Sequence, residues 1–151
     1  MNETDVSTHV DLSLTVVTGI EKFCNSVLEL LGKTKWEISV LLCDDAEIRD
    51  LNKRYRRTDS ATDVLSFPQE DNFLLHDRNF AGDVIISLET AERKADTQEL
   101  GTEGIEETLK LLLTHGILHL DGFDHESEEE YNKMSEREEQ ILSELKGVRI
   151  F

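Results

Sequence analysis

Apolar residues recur along this chain in two rhythms, every second position where a strand is expected and every third or fourth where a helix is. Val10, Leu12, Leu14 and Val16 alternate across residues 9–17 and predict a strand, after which Thr18-Gly-Ile-Glu21 reads as a capping box opening a helix. Ile20, Phe23, Cys24, Val27, Leu28 and Leu31 form the apolar stripe of that helix, and Gly32 stops it. Trp36 to Cys43 predicts a second strand, with Trp36, Ile38, Val40 and Leu42 on one face. Asp44-Asp-Ala-Glu47 opens a short helix that buries Ile48, Leu51 and Tyr55 and turns Arg49, Lys53 and Arg56 outward.

Two short apolar runs follow, Val64 to Phe67 and Asp83 to Ser87, read as strands separated by a polar loop from Gln69 to Ala81. Ser87 caps a helix reaching about Leu100, and a strongly apolar helix runs from about Glu103 to Leu120, with Glu106 and Lys110 on its narrow polar side. Ser127-Glu-Glu-Glu130 is another capping box, and Tyr131, Met134, Ile141, Leu142 and Leu145 mark a final amphipathic helix. The order of elements predicts an α/β (α+β) fold, a small mixed sheet packed with about five helices, in a single domain spanning residues 1–151.

Composition agrees with one compact domain. A chain of 151 residues buries roughly 70% of the surface its unfolded form exposes, so it needs no disulfide. Cys24 and Cys43 are expected as core thiols, since neither belongs to a C-x-x-C pair. The N-terminus lacks a signal-peptide pattern and no apolar run approaches ~18 residues, so the expectation is a cytoplasmic protein with no membrane partner. A formal charge of −17 repels nucleic acid at long range, and no DNA partner is expected. Against that total, Arg49, Lys53, Arg54, Arg56 and Arg57 fall within nine residues, whereas much of the acid lies between Glu126 and Glu144.

The candidate chemistry sits in His115-Gly-Ile-Leu-His119-Leu-Asp-Gly-Phe-Asp-His125. Histidines four apart share one helix face and can each offer a nitrogen to one Zn²⁺ at about 2.0–2.1 Å. Gly122, able to take positive φ, stands where the helix must end and the chain reverse toward His125. Three protein ligands leave a fourth position open, as in catalytic rather than structural zinc sites. A lone histidine on such a helix is more often a hydrogen-bonded core residue; three at this spacing favour the metal. His9 and His76 read as ordinary surface residues. The spacing invites comparison with H-E-x-x-H peptidases, but Gly116 stands where their general base would be.

The same segment resembles the signature of the YbeY endoribonucleases, or ribosomal RNA maturation factors, which is close to H-G-x-L-H-L-x-G-Y-D-H. Leu51 to Pro68 is similar to the family's second signature and Gly82 to Ser87 to its third, so the likeness covers about residues 51–125. Phe123 replaces the usual tyrosine, and Arg57 and Ala61 stand where glycine and proline are common. The resemblance implies a single-domain, zinc-dependent RNase with one Zn²⁺ per chain. Its partners would be single-stranded RNA, ribosomal RNA and the ribosomal small subunit, its work the maturation of the small-subunit RNA 3′ end and ribosome quality control. By the same resemblance His115, His119 and His125 are the metal ligands and Arg56 a functional arginine.

Phosphodiester hydrolysis needs a nucleophile and neutralisation of charge on the phosphate. Zinc lowers the pKa of bound water to about 7, and Arg56 would offer the phosphate a bidentate guanidinium. Without the resemblance, Arg56 reads as a solvated residue on an exposed helix end. Arg49, Lys53, Arg54 and Arg57 are either RNA-backbone contacts or a solvated face, and Asp124 either orients an imidazole or caps the turn. Two other classes stay open: a generic zinc-dependent hydrolase or peptidase, and a non-catalytic ribosome-associated RNA-binding module.

Overall fold

The computed structural model describes residues 1–69, 74–75 and 78–151; His76 lies outside them. Within the described residues, strands β1 (Glu3–Thr8), β2 (Trp36–Cys43), β3 (Val64–Pro68), β4 (Leu74–Leu75) and β5 (Arg78–Ser87) form one mixed sheet. Its order is β1-β2-β5-β3, with β4 also paired to β5. β1, β2 and β5 run parallel, while β3 and β4 are antiparallel to β5. The helices are α1 (Leu14–Leu30), α2 (Asp45–Arg56), α3 (Leu88–Thr97), α4 (Ile105–Leu120) and α5 (Glu128–Glu144). The fold is the α/β class expected, a mixed sheet with five helices.

The sheet divides the apolar residues by strand alternation. Ile38, Val40 and Leu42 of β2 and Val84 and Ile86 of β5 face α1 and α4, where Ile20, Phe23, Val27, Leu113 and Ile117 complete the main core. On the opposite face Leu65 and Ile85 meet Ile48 of α2 in a smaller cluster. Each such side chain, fully buried, contributes roughly 1.5–3 kcal/mol. Both cysteines are buried free thiols, and burial, first among the causes, pushes Cys43 up to about 12. Neither is suited to be a thiolate ligand.

Several expectations are corrected. Residues 9–17 are not a strand: the first strand lies upstream, and α1 begins at Leu14, capped by Ser13, whose hydroxyl accepts from the Val16 amide. Thr18 to Glu21 is therefore interior helix. Tyr55 and Tyr131, expected inside, are 62% and 58% exposed. The α2 position that turns inward is Asn52, whose amide donates to the Ser60 carbonyl. Lys110 is buried rather than polar-facing, because α4 is covered on both sides; its ammonium reaches the Leu145 carbonyl at 3.4 Å and lies over the Phe23 ring. The stretch expected as a loop from Gln69 to Ala81 includes β4 and the first residues of β5.

Candidate metal centre

Helix α4 presents His115 and His119 toward a surface cleft and its Gly116 toward the sheet. A Cβ at Gly116 would lie 2.7 Å from Val84 Cγ1 and 3.3 Å from Ser66 Oγ, so glycine lets α4 sit against β3 and β5. The Ser66 hydroxyl donates to the Gly116 carbonyl at 3.1 Å, fixing that close approach. The register of α4 against the sheet thus determines which way both imidazoles point.

The helix ends in a Schellman turn. The Phe123 amide donates to the Leu118 carbonyl at 3.0 Å and the Gly122 amide to the His119 carbonyl at 3.1 Å, with Gly122 at φ 95°. Asp121, at the cap, is paired with Lys33 beyond the end of α1. The reversal returns the chain over the helix end, bringing the Phe123 carbonyl to His119 and His125 to the pair. Ligand atoms of His115, His119 and His125 all lie within 4.8 Å of one another.

Hydrogen bonding fixes the state of two rings. His119 Nδ1 is 2.9 Å from the Phe123 carbonyl oxygen, and His115 Nδ1 is 3.0 Å from Glu138 Oε2 of α5. Both partners only accept, so in the neutral rings each Nδ1 carries the hydrogen and each Nε2 keeps its lone pair. Those Nε2 atoms face each other at 3.2 Å. Two lone pairs at that distance repel unless a cation or a proton lies between them. Nitrogens bound tetrahedrally to zinc at 2.0–2.1 Å are about 3.3 Å apart, so the donor set fits a metal of that kind. His125, exposed and with its ring centroid 5.1 Å from that of His119, is the wider third corner.

Burial, reinforced by His115 and opposed by the Phe123 carbonyl, holds His119 below the ordinary histidine pKa. It is therefore neutral, and able to coordinate, over a wider pH range than a solvated histidine. Asp124, considered as a partner for an imidazole, instead accepts from the His125 amide at 2.7 Å and caps the turn. The orienting carboxylate is Glu138, which the sequence reading missed. It lies on the buried side of α5 between Met134 and Ile141, and an acid on a buried face needs a partner, a signal that was present in the sequence.

Arg56 lies across the same cleft, a space of about 700 Å³ lined also by His115, His119, His125, Ser66 and Asp124. Its guanidinium donates to the Ser66 carbonyl and lies 5.1 Å from the centre of the Phe67 ring. Two other members of the basic cluster are paired, Arg49 with Asp59 and Arg54 with Asp50, both at 2.8 Å. Arg56 rests on a neutral carbonyl, so its charge stays available to an anion. Arg57 adopts φ 56° as the left-handed cap of α2, a conformation that glycine takes most easily. His9 lies on the surface, hydrogen-bonded to Glu47.

The family model for endoribonuclease YbeY matches residues 3–146. An endoribonuclease YbeY of Aquifex aeolicus is 49% identical over 127 residues, which are 83% of this chain and 81% of the relative. One from Treponema denticola is 42% identical over 135 residues, 87% and 85% of the two chains, and one from Carboxydothermus hydrogenoformans is 40% identical over 94% of each. A Thermotoga maritima protein whose structure was solved in solution superposes with a TM-score of 0.59 at 24% identity, covering 95% of this chain and 92% of the other, and shares the fold.

Proposed function

Because the chain belongs to the YbeY endoribonuclease family, we propose that it is a zinc-dependent endoribonuclease that cuts single-stranded RNA and matures the small-subunit ribosomal RNA in the bacterial cytoplasm. The observation that carries this reading is the facing pair of Nε2 lone pairs at 3.2 Å, set in one cleft with an arginine whose charge is not neutralised.

A zinc ion held by His115, His119 and His125 would supply Lewis acidity and water acidified toward neutral pH. The chain's own residues do the rest. Glu138 and the Phe123 carbonyl hold two imidazoles in the tautomer that leaves Nε2 free. Arg56 swings from the Ser66 carbonyl to a phosphate oxygen and offsets the charge that builds there in the transition state. Phe123 serves through its backbone, so the hydroxyl of the family's usual tyrosine is not needed for this contact.

The peptidase alternative is disfavoured by packing. A glutamate at position 116 would point into Val84 and Ser66, so this helix cannot present a base beside its first histidine. A generic hydrolase and an RNA-binding module are separated from the proposal by substrate. Protein stripped with a chelator and reloaded with zinc is expected to cut single-stranded RNA, to spare duplex RNA and peptides, and to lose cleavage when stripped again. RNA binding with no zinc-dependent cleavage would replace the enzyme reading with the binding-module one.

A further inference from the structure

Among the described residues, the histidine cluster borders two hollows. The larger holds Arg56; the smaller, about 350 Å³, opens on the α5 side, and the two share Asp63, Val64, His115 and His125. Their chemistry differs. The smaller hollow has Leu100, Leu111, Leu112 and Met134 in its walls and Tyr131 at its rim, and neither lysine nor arginine among its described lining residues. Tyr131 stands 58% exposed there, in the first turn of an otherwise very polar helix. Asp63, which borders both hollows, is held by Lys94 at 3.0 Å, so its acceptor is fixed in place.

A phosphodiester bond placed at the histidines has a nucleoside on each side. The Arg56 hollow suits charged backbone. The second suits an uncharged, flat group that stacks on an aromatic ring over an aliphatic floor, with fixed acceptors at its edge. We propose that this hollow is a nucleobase subsite, which seats the base of one nucleotide flanking the scissile phosphate, stacked on Tyr131. The proposal rests on the endoribonuclease reading, since it is an RNA strand crossing the histidines that delivers a base to this place. The subsite gives the enzyme its preference for single strands, because a base held in a duplex stack cannot enter.

The test is a binding measurement that does not depend on cleavage. Fluorescence anisotropy is recorded for zinc-loaded wild type and for Tyr131→Ala with a short uncleavable 2′-O-methyl RNA single strand, intact or carrying one abasic residue at each position in turn. Tyr131 is exposed, so its replacement leaves the fold intact, and zinc content checks the centre. One abasic position is expected to weaken wild-type binding about tenfold, and Tyr131→Ala to weaken intact RNA similarly while becoming insensitive to that position. Equal affinity for every abasic strand, or an abasic penalty that persists undiminished in Tyr131→Ala, overturns the subsite. Cleavage of the matching unmodified RNA is followed separately. Base-dependent binding without cleavage would retain the subsite and remove the nuclease.

Discussion

On the histidine side of the cleft the two imidazoles of α4 are each positioned by something else. α4 is locked to the sheet through Gly116 and Ser66, its end is turned by Gly122, and two rings are oriented by Glu138 and the Phe123 carbonyl. On the other side Arg56 is an exposed side chain at the end of α2, held by one carbonyl and the face of Phe67. The first wall is preorganised, as a metal requires, because ligands misplaced by a fraction of an ångström lose affinity. The second is adjustable, which suits the proposed substrate, a strand that must enter, be cut and leave. On the proposed function, the contrast assigns metal binding and phosphate recognition to different walls and so predicts that mutation separates them.

The largest effect should come from the rigid wall. His119→Ala is expected to lose zinc and to reduce RNA cleavage to background in the same preparation, measured by elemental analysis and a gel assay; cleavage surviving without metal would break the division of labour. On the adjustable wall, Arg56→Ala should keep its zinc while kcat falls by about 10²–10³-fold, the usual loss on removing one transition-state donor. Loss of metal in that variant would mean that the two walls are coupled.

Smaller than either is the effect expected at Glu138. Glu138→Gln keeps the shape and removes the charge that receives His115 Nδ1, and should weaken zinc about 10–100-fold in competition with a chromogenic chelator, with no change in the melting temperature of the metal-free protein. Unchanged zinc affinity would reduce the contact to ordinary packing. The smallest effect concerns pH. His119 is held below its ordinary pKa, first by burial, so the folded protein takes up this proton less readily than the unfolded chain. The stability this contributes is present above about 6.5 and is lost as pH falls through the lower folded value. Metal-free protein should therefore melt at a lower temperature below that range, and His119→Gln should flatten this part of the profile.

Local rules made much of this molecule readable. The histidine cluster is legible because its three members lie within eleven residues, and helix spacing plus one glycine turn bring them together. The helices α2, α3 and α5 were readable from their caps, and Asp44, Ser87 and Ser127 each accept the expected amide. β1 was not, because Glu3 to Thr8 is an edge strand with polar residues on both faces. Even its buried Thr4 is satisfied by a hydrogen bond to Asn25 rather than by apolar contact. The apparent alternation from Val10 to Val16 is the approach to a helix, where Leu14 is 80% exposed. Glu138 escaped because it is 23 residues from His115, and only tertiary packing brings α5 to α4.

Titration of zinc into chelator-stripped protein, with cleavage of a single-stranded RNA followed at each addition, tests the central claim most directly. Activity should rise in proportion to zinc, level off at one equivalent per chain, and fail to appear in His115→Ala at the same additions. Full cleavage by the stripped protein, or activation of His115→Ala indistinguishable from wild type, would contradict the assignment of the three histidines as the metal centre on which RNA cleavage depends.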